Sequence, residues 1–286
     1  MSTNQGNLIA QLRREAGYTQ KTLAEALHIT DKAVSKWERG LSLPDVSLLP
    51  KLSLLLGADM TLLLAKDTKH PHEGWKGLVD LRGRDVQLWQ HIFDKPMVYF
   101  ILSHFLLSNI REVCFLCSKE NQAYLEGEIF KELGFTFTFA LEKDITHDFM
   151  IMNHPCFLFG SDLTHQFQGA MLSESLVVLT PENVKPPFLF CPAEHVTMYD
   201  KNPDRLYEIA APRTLGRGMV CLDLDNEDTL MEAAIFVRMY QKSSGLLISS
   251  LEEIAFRKGI LTKEKFVALA KDTKYSQQLL AMADSE

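Results

Sequence analysis

The sequence predicts a protein in two parts. An all-α N-terminal head is followed by an α/β body with a doubly wound, mostly parallel sheet and a helical C-terminal end. Three observations predict this. Apolar residues recur at helical spacing through residues 1–64. From residue 75, short apolar runs alternate with helical stretches, the pattern of parallel strands joined by crossover helices. From Asn226 onward the pattern is helical alone.

In the head, Leu8, Ile9, Leu12 and Ala16 share one helical face, and Gly17 ends that run. Thr19 is an N-cap for a second helix with Leu23, Ala24 and Leu27 on its inner side. Three residues later Thr30 caps a third helix, Asp31 to Glu38, with Val34 and Trp37 inward and Gly40 as its stop. Pro50 cannot donate its backbone hydrogen bond, so a fourth helix begins near it, after a looser turn at Val46–Leu49. "DMTLLL" makes a fifth, short helix. Two helices joined by so short a break form a helix-turn-helix unit. The break favours positive φ. Histidine, which tolerates that region better than most residues, stands there as His28.

These stretches, "TQKTLAEAL", "TDKAVSKWERG" and "PDVSLLPKLSLLLG", make residues 8–64 resemble the Cro and phage-repressor type of helix-turn-helix domain, called XRE-like. The resemblance implies double-stranded DNA as partner, with the third helix in the major groove and its N-terminal residues against base edges. Lys32 and Lys36 project outward there with Ser35 between them. Lysine donates to guanine, and Asp31 can accept from cytosine. Gln20, at the start of the second helix, is placed for a phosphate or a base, and Thr30 stands at the start of the reading helix. Lys21 and Arg39 suit backbone contacts that fix register. Such a domain normally works as a homodimer on two half-sites about 34 Å apart.

Residues 65–74 are polar and charged and carry Pro71, the composition of a linker, which leaves 75–286 as the body. There "KGLVDL" is a strand, "PMVYFILSHFLLSNI" a helix, "EVCFLCS" a strand, "ENQAYLEGEIFKELG" a helix and "FTFTFAL" a strand. "HPCFLFGSD", "SLVVLTP" and "FLFCP" are further strands, and four helical stretches follow. The five cysteines, at 114, 117, 156, 191 and 221, have no framework spacing, so no structural disulfides are expected. Cys114 and Cys117 form a C-x-x-C on a strand, where residues three apart face opposite ways, so core packing is expected.

Three blocks of the body, "DKPMVYFILSHFLLSNIREV", "DFMIMNHPCFLFGSD" and "LGRGMVCLDLDNEDTLMEAAIFV" with the helices after it, resemble in order the glucose-1-phosphate thymidylyltransferases. That family implies in-line attack of a sugar phosphate on the α-phosphorus of dTTP. The reaction needs a backbone cradle, basic side chains and Mg²⁺ on carboxylates. The family's cradle is a glycine-rich loop after the first strand. Here most of that loop is missing, and Arg82 and Arg84 remain without the glycines that would aim them. A family lysine is replaced by Gln87. By the resemblance, Asp162 and Asp223 take the places of the two metal aspartates, as a vestigial Mg²⁺ site or as ordinary strand-end residues.

The net charge of −7 is uneven: residues 1–64 hold seven Lys and Arg against six Asp and Glu, and the remainder 23 against 31. A head that meets phosphates and an acidic body that stays off the duplex fit this division. With no secretory layout and no long apolar run, a cytoplasmic protein is expected. The sequence therefore reads as a transcription regulator and not an enzyme. Its body pairs two heads and offers a place for a sugar nucleotide or dTTP. The alternative is a working thymidylyltransferase that also binds DNA, and the plainest version is a scaffold that only dimerises.

Overall fold

The computed structural model describes residues 3–58, 63, 74–142, 145–160, 162–173, 175–180, 187–215 and 218–285. The chain divides into two compact units, Met1–Glu73 with Thr164–Leu172, and Gly74–Leu163 with Ser173–Glu286. The linker predicted at 65–74, Gly74 apart, lies outside the described residues, and so does the fifth short helix apart from Leu63.

In the first unit, α1 (Thr3–Glu15), α2 (Gln20–Leu27), α3 (Asp31–Glu38) and α4 (Leu49–Leu56) surround one apolar core. Leu8, Leu12, Leu23, Leu27, Val34, Trp37, Leu52 and Leu63 are its centre. Thr19 and Thr22 close a capping box at the head of α2. His28 ends α2 in the left-handed conformation, φ 58 and ψ 43, which lets the chain reverse into α3 within three residues. A 3₁₀ turn at Val46–Leu48 precedes α4, and Pro50 lies in the first turn of α4. Gly6 lets α1 and α3 meet closely: a Cβ there would collide with the carbonyls of Trp37 and Glu38.

The body is built on a seven-stranded sheet. Its strands are β1 (Trp75–Asp80), β4 (Glu112–Leu116), β5 (Thr136–Thr138), β6 (Asp148–Met152), β8 (Val177–Thr180), β9 (Phe188–Cys191) and β10 (Ala211–Thr214), in the order β10-β8-β9-β6-β1-β4-β5. β1 pairs in parallel with both β4 and β6, and β9 alone runs antiparallel to its neighbours β6 and β8. Two short hairpin strands, β2 (His91–Ile92) and β3 (Lys95–Pro96), lead into the buried helix α5 (Met97–Leu107). Successive strands leave β1 on one side toward β4 and β5, then return on its other side as β6. The carboxyl ends of β1 and β6 are thus the point where the winding reverses, the usual crevice for a ligand in such sheets.

Two sequence expectations need correction. The helix read over residues 120–134 is two pieces, α6 (Lys119–Leu125) and α7 (Glu128–Glu132), broken at Gly127. The block "DFMIMNHPCFLFGSD", where the pattern predicts one strand over "HPCFLFGSD", holds two. Pro155 has no N–H to continue a ladder, and the chain leaves the sheet at Asn153. Of the two pieces, only β6 lies beside β1. The second piece, β7 (Cys156–Phe159), pairs antiparallel with β11 (Val220–Asp223) as a separate ribbon. The chain continues through α8 (Leu163–Met171), α9 (Ala193–Lys201) and α10 (Pro203–Ile209). The helical end is α11 (Glu227–Ser244), α12 (Leu251–Arg257), α13 (Lys263–Lys271) and α14 (Ser276–Ser285). Among the described residues no helix is long and apolar enough to cross a membrane.

Candidate nucleic-acid interface and the altered nucleotide crevice

On α3, the 100° step per residue puts Lys32, Ser35, Lys36 and Arg39 on one face, with Asp31 at its edge and Val34 and Trp37 opposite. Asp31, Lys32, Lys36 and Arg39 are exposed, and Ser35 is half-buried. Lys32 and Lys36 make no ion pair among the described residues, so both ammonium groups are available. Thr30 caps the helix by accepting from the Ala33 N–H at 3.3 Å, which leaves its hydroxyl hydrogen free to donate. Asp31 accepts from the Lys32 N–H at 2.8 Å, a use of an acid at a positive helix end. Arg39 donates from Nε to the Ser35 carbonyl at 3.1 Å and keeps its terminal nitrogens.

Gln20 is less free than its position in the sequence suggests. Its amide donates to Glu38 Oε2 at 2.6 Å. The same carboxylate accepts from Arg13, whose Nη1 donates to the Tyr18 carbonyl at 2.6 Å. This cluster ties α1, the turn before α2 and the end of α3 together. Gln20 therefore positions the reading helix at least as much as it offers a donor. Lys21 stands exposed beside it.

In the body, the carboxyl end of β1 is filled by an ion-pair cluster. Asp80 is 9% exposed. It accepts from the Arg82 N–H at 3.1 Å, from Arg82 Nε at 3.0 Å and Nη2 at 2.8 Å, and from the Tyr199 hydroxyl at 3.2 Å. The other face of the same guanidinium reaches Asp200 at 2.9 Å. Arg84 pairs with Asp225. The two arginines that could have met phosphates are thus already neutralised by carboxylates. Hydrogen bonding to Asp80 holds the Arg82 guanidinium above its ordinary range, and burial pushes the Tyr199 hydroxyl up, with Asp80 adding to the push. Gln87 is exposed just beyond, and Asn121 fixes its neighbours by donating to the Val86 carbonyl at 2.8 Å and accepting from the Leu88 N–H at 3.0 Å. Sequence reading missed Asp80 and Tyr199. The signal available was an acid closing an apolar strand two residues before an arginine.

The structure does not bring Asp162 and Asp223 together. Asp223 ends β11 opposite Cys156, the first residue of β7, whereas Asp162 follows the far end of β7 in a left-handed backbone, φ 69. At Gly160 the ribbon still runs beside Met219, so about 13 Å of strand separates the two ends. Asp223 keeps one buried oxygen without a hydrogen-bond partner. Among the described residues no group of three or more His, Cys, Asp or Glu side chains could hold a metal. The residues present do not fit a Mg²⁺ ion shared by these two aspartates. The five cysteines are free, and burial raises the thiols of Cys114, Cys117 and Cys191.

Comparison with known proteins follows this division. Residues 9–63 match the family model described as Helix-turn-helix. Over 62 residues the chain is 42% identical to the HTH-type transcriptional regulator ImmR of Bacillus subtilis, covering 22% of this chain and 49% of that one. The head is a helix-turn-helix domain of the XRE type. It is fused to a region that matches thymidylyltransferases. Over 261 residues the chain is 24% identical to the glucose-1-phosphate thymidylyltransferase of Neisseria meningitidis, covering 67% of this chain and 90% of the relative. The 261 aligned positions take in only 67% of this 286-residue chain, about 190 residues, so the relative carries stretches with no counterpart here. Among solved structures, the UDP-glucose pyrophosphorylase of Acinetobacter baumannii superimposes with a TM-score of 0.44 at 8% identity, over 63% of this chain and 98% of that one.

Proposed function

We propose that this chain is a sequence-specific DNA-binding transcription regulator. Its XRE-type head reads an operator as a dimer, and its thymidylyltransferase-like body pairs two heads and provides a place for a sugar-nucleotide signal. The observation that carries this reading is a contrast within one chain. The face of α3 still presents Lys32 and Lys36 without ion-pair partners among the described residues, while Arg82 and Arg84 near the end of β1 are each tied to an acid. Phosphoryl transfer depends on preorganised positive charge at the reacting phosphates. At the end of β1, Asp80, Asp200 and Asp225 face only two arginines among the described residues, so no spare positive charge is left there for phosphates.

In the head, Lys32 and Lys36 read base edges with Asp31 and Ser35, while Lys21, Thr30, Arg39 and Gln20 hold the sugar-phosphate backbone. A ligand alters operator occupancy only if it prefers one arrangement of the paired heads. The decisive experiment selects bound sequences from random duplex DNA, with and without dTTP or dTDP-sugars. The full chain is expected to enrich one two-fold-related sequence. Lys32→Ala should relax one position per half-site, at about 1–3 kcal/mol. Failure to enrich any sequence overturns the regulator reading, and enrichment indifferent to every nucleotide overturns the sensing part alone. Pyrophosphate release from dTTP and glucose 1-phosphate would restore the enzyme.

A further inference from the structure

Helix α11 carries an apolar stripe that no described residue of its own unit covers. Met231, Ile235 and Met239 are 66%, 53% and 66% exposed. They recur every four residues, so with a step of 100° per residue they lie within about 40° of a common line centred on Ile235. The opposite side of the helix is the buried one, with Ala233, Val237 and Gln241 facing the body. Three bulky apolar side chains in a row on solvent are unusual where a charged face would serve solubility.

The charges flanking the stripe are arranged by sign. Asp228 and Glu232 lie on the N-terminal side of Ile235 and Arg238 and Lys242 on the C-terminal side, all on the same exposed face. None of the four makes an ion pair among the described residues. Within the helix they sit badly. Asp228 and Glu232 are four apart with like charge, and so are Arg238 and Lys242, a spacing that costs a few tenths of a kcal/mol per pair. The helix dipole accounts for Asp228 in the first turn and Lys242 in the last, but it does not reach Glu232 or Arg238 near the middle.

Rotation by a two-fold axis through Ile235 resolves the whole pattern. A second copy of α11, antiparallel across that axis, sets Ile235 against Ile235 and Met231 against Met239. It also sets Asp228 against Lys242 and Glu232 against Arg238. The stripe is its own complement, as an isologous contact requires. We propose that the exposed face of α11 is the surface on which two copies of this chain pair. This deepens, and rests on, the reading that the body pairs two heads. The contact spans about 21 Å of helix from Asp228 to Lys242. Two helices of that length bury less than the roughly 1,200 Å² typical of stable complexes, so the dimer forms reversibly at micromolar concentration. Simultaneous binding of two half-sites then reinforces it.

The test uses the full chain without DNA in sedimentation equilibrium over a range of concentrations. The wild type should show a reversible monomer–dimer equilibrium. Ile235→Glu, which opposes two carboxylates on the axis, should weaken it by about tenfold or more. Arg238→Glu should do the same by facing Glu232 of the partner subunit, and the double swap Glu232→Arg with Arg238→Glu should restore affinity to within about threefold. All three positions are exposed, and unchanged far-ultraviolet circular dichroism verifies the fold. A wild type that stays monomeric at ~100 µM overturns the proposal. So does a dimer indifferent to Ile235→Glu, or a double swap that fails to rescue. Duplex selection separates the two readings. A monomeric chain that still enriches an operator sinks this interface and leaves the regulator. An intact α11 dimer with no operator does the reverse.

Discussion

His28 is a single residue on which the reading head depends. Its φ of 58 and ψ of 43 place an L-residue with a Cβ in the left-handed region, at a cost near 1–2 kcal/mol that glycine avoids. Glycine has its own cost in the unfolded chain, which offsets part of the gain. His28→Gly should therefore stabilise the head by about 0.5–1 kcal/mol. Hydrogen exchange of the Leu23 and Val34 amides in the full chain, slowed by roughly two- to fivefold, would register it. Faster exchange would mean that the imidazole makes a favourable contact outweighing the backbone strain. The reason this residue could be read from sequence is local: a break of three residues between two capped helices demands a left-handed residue. Gln20 could not be read in the same way. Its partner Glu38 is eighteen residues distant, and only packing of α1, α2 and α3 brings Arg13, Gln20 and Glu38 together.

At the scale of elements, the start of α5 is held to the C-terminal helices by a buried polar network. Lys95 is fully buried, with Nζ 2.8 Å from Asp94 and 3.2 Å from Gln241 Oε1, and 4.0 Å above the Tyr275 ring. Glu252, also fully buried, accepts from Tyr99 and Tyr275, each at 2.9 Å, and from Ser250 at 3.2 Å. Removing one partner from such a set leaves an uncompensated charge in a dry interior. Lys95→Ala should cost about 3–5 kcal/mol in urea unfolding followed by tyrosine fluorescence. Lys95→Met, which keeps the apolar stem, should recover only the packing share. A loss under about 1 kcal/mol for Lys95→Ala would show that water reaches the site. Periodicity made α5 and α11 legible, because their apolar faces repeat within the helix itself. Nothing local told that Lys95 would be buried, since two of its three partners, Gln241 and Tyr275, lie 146 and 180 residues away. The division of β6 from β7 was missed for a related reason. Pro155 was visible and a strand was predicted around it, but only long-range pairing puts the run before it in the sheet beside β1 and the run after it with β11.

At the scale of the whole molecule, the two units have separate cores, so heat or urea need not unfold them in one step. Acid should tell them apart. In the body, His104 on α5 is fully buried between the carbonyls of Ile101 and Leu158, and burial pushes its imidazole down to about 4. The unfolded chain takes up that proton near 6.5. Between those values the unfolded state holds more protons than the folded one, so the body loses stability as pH falls from 6.5 toward 4 and keeps it above 6.5. At pH 5 the loss amounts to about 2 kcal/mol relative to pH 7. In the head, the group described with a shift is Asp45, an exposed carboxyl lowered below 3.8 by its hydrogen bonds to Ser47, and its window lies under that of His104. Calorimetry at pH 7 and pH 5 should then show two transitions, the body's moving down by several degrees and the head's holding still. His104→Gln, which can still donate toward Leu158, should flatten the body's dependence whatever it does to the midpoint at pH 7. Equal slopes in wild type and variant would assign the acid sensitivity to other groups. A single transition moving as one would mean that the two cores melt as a unit.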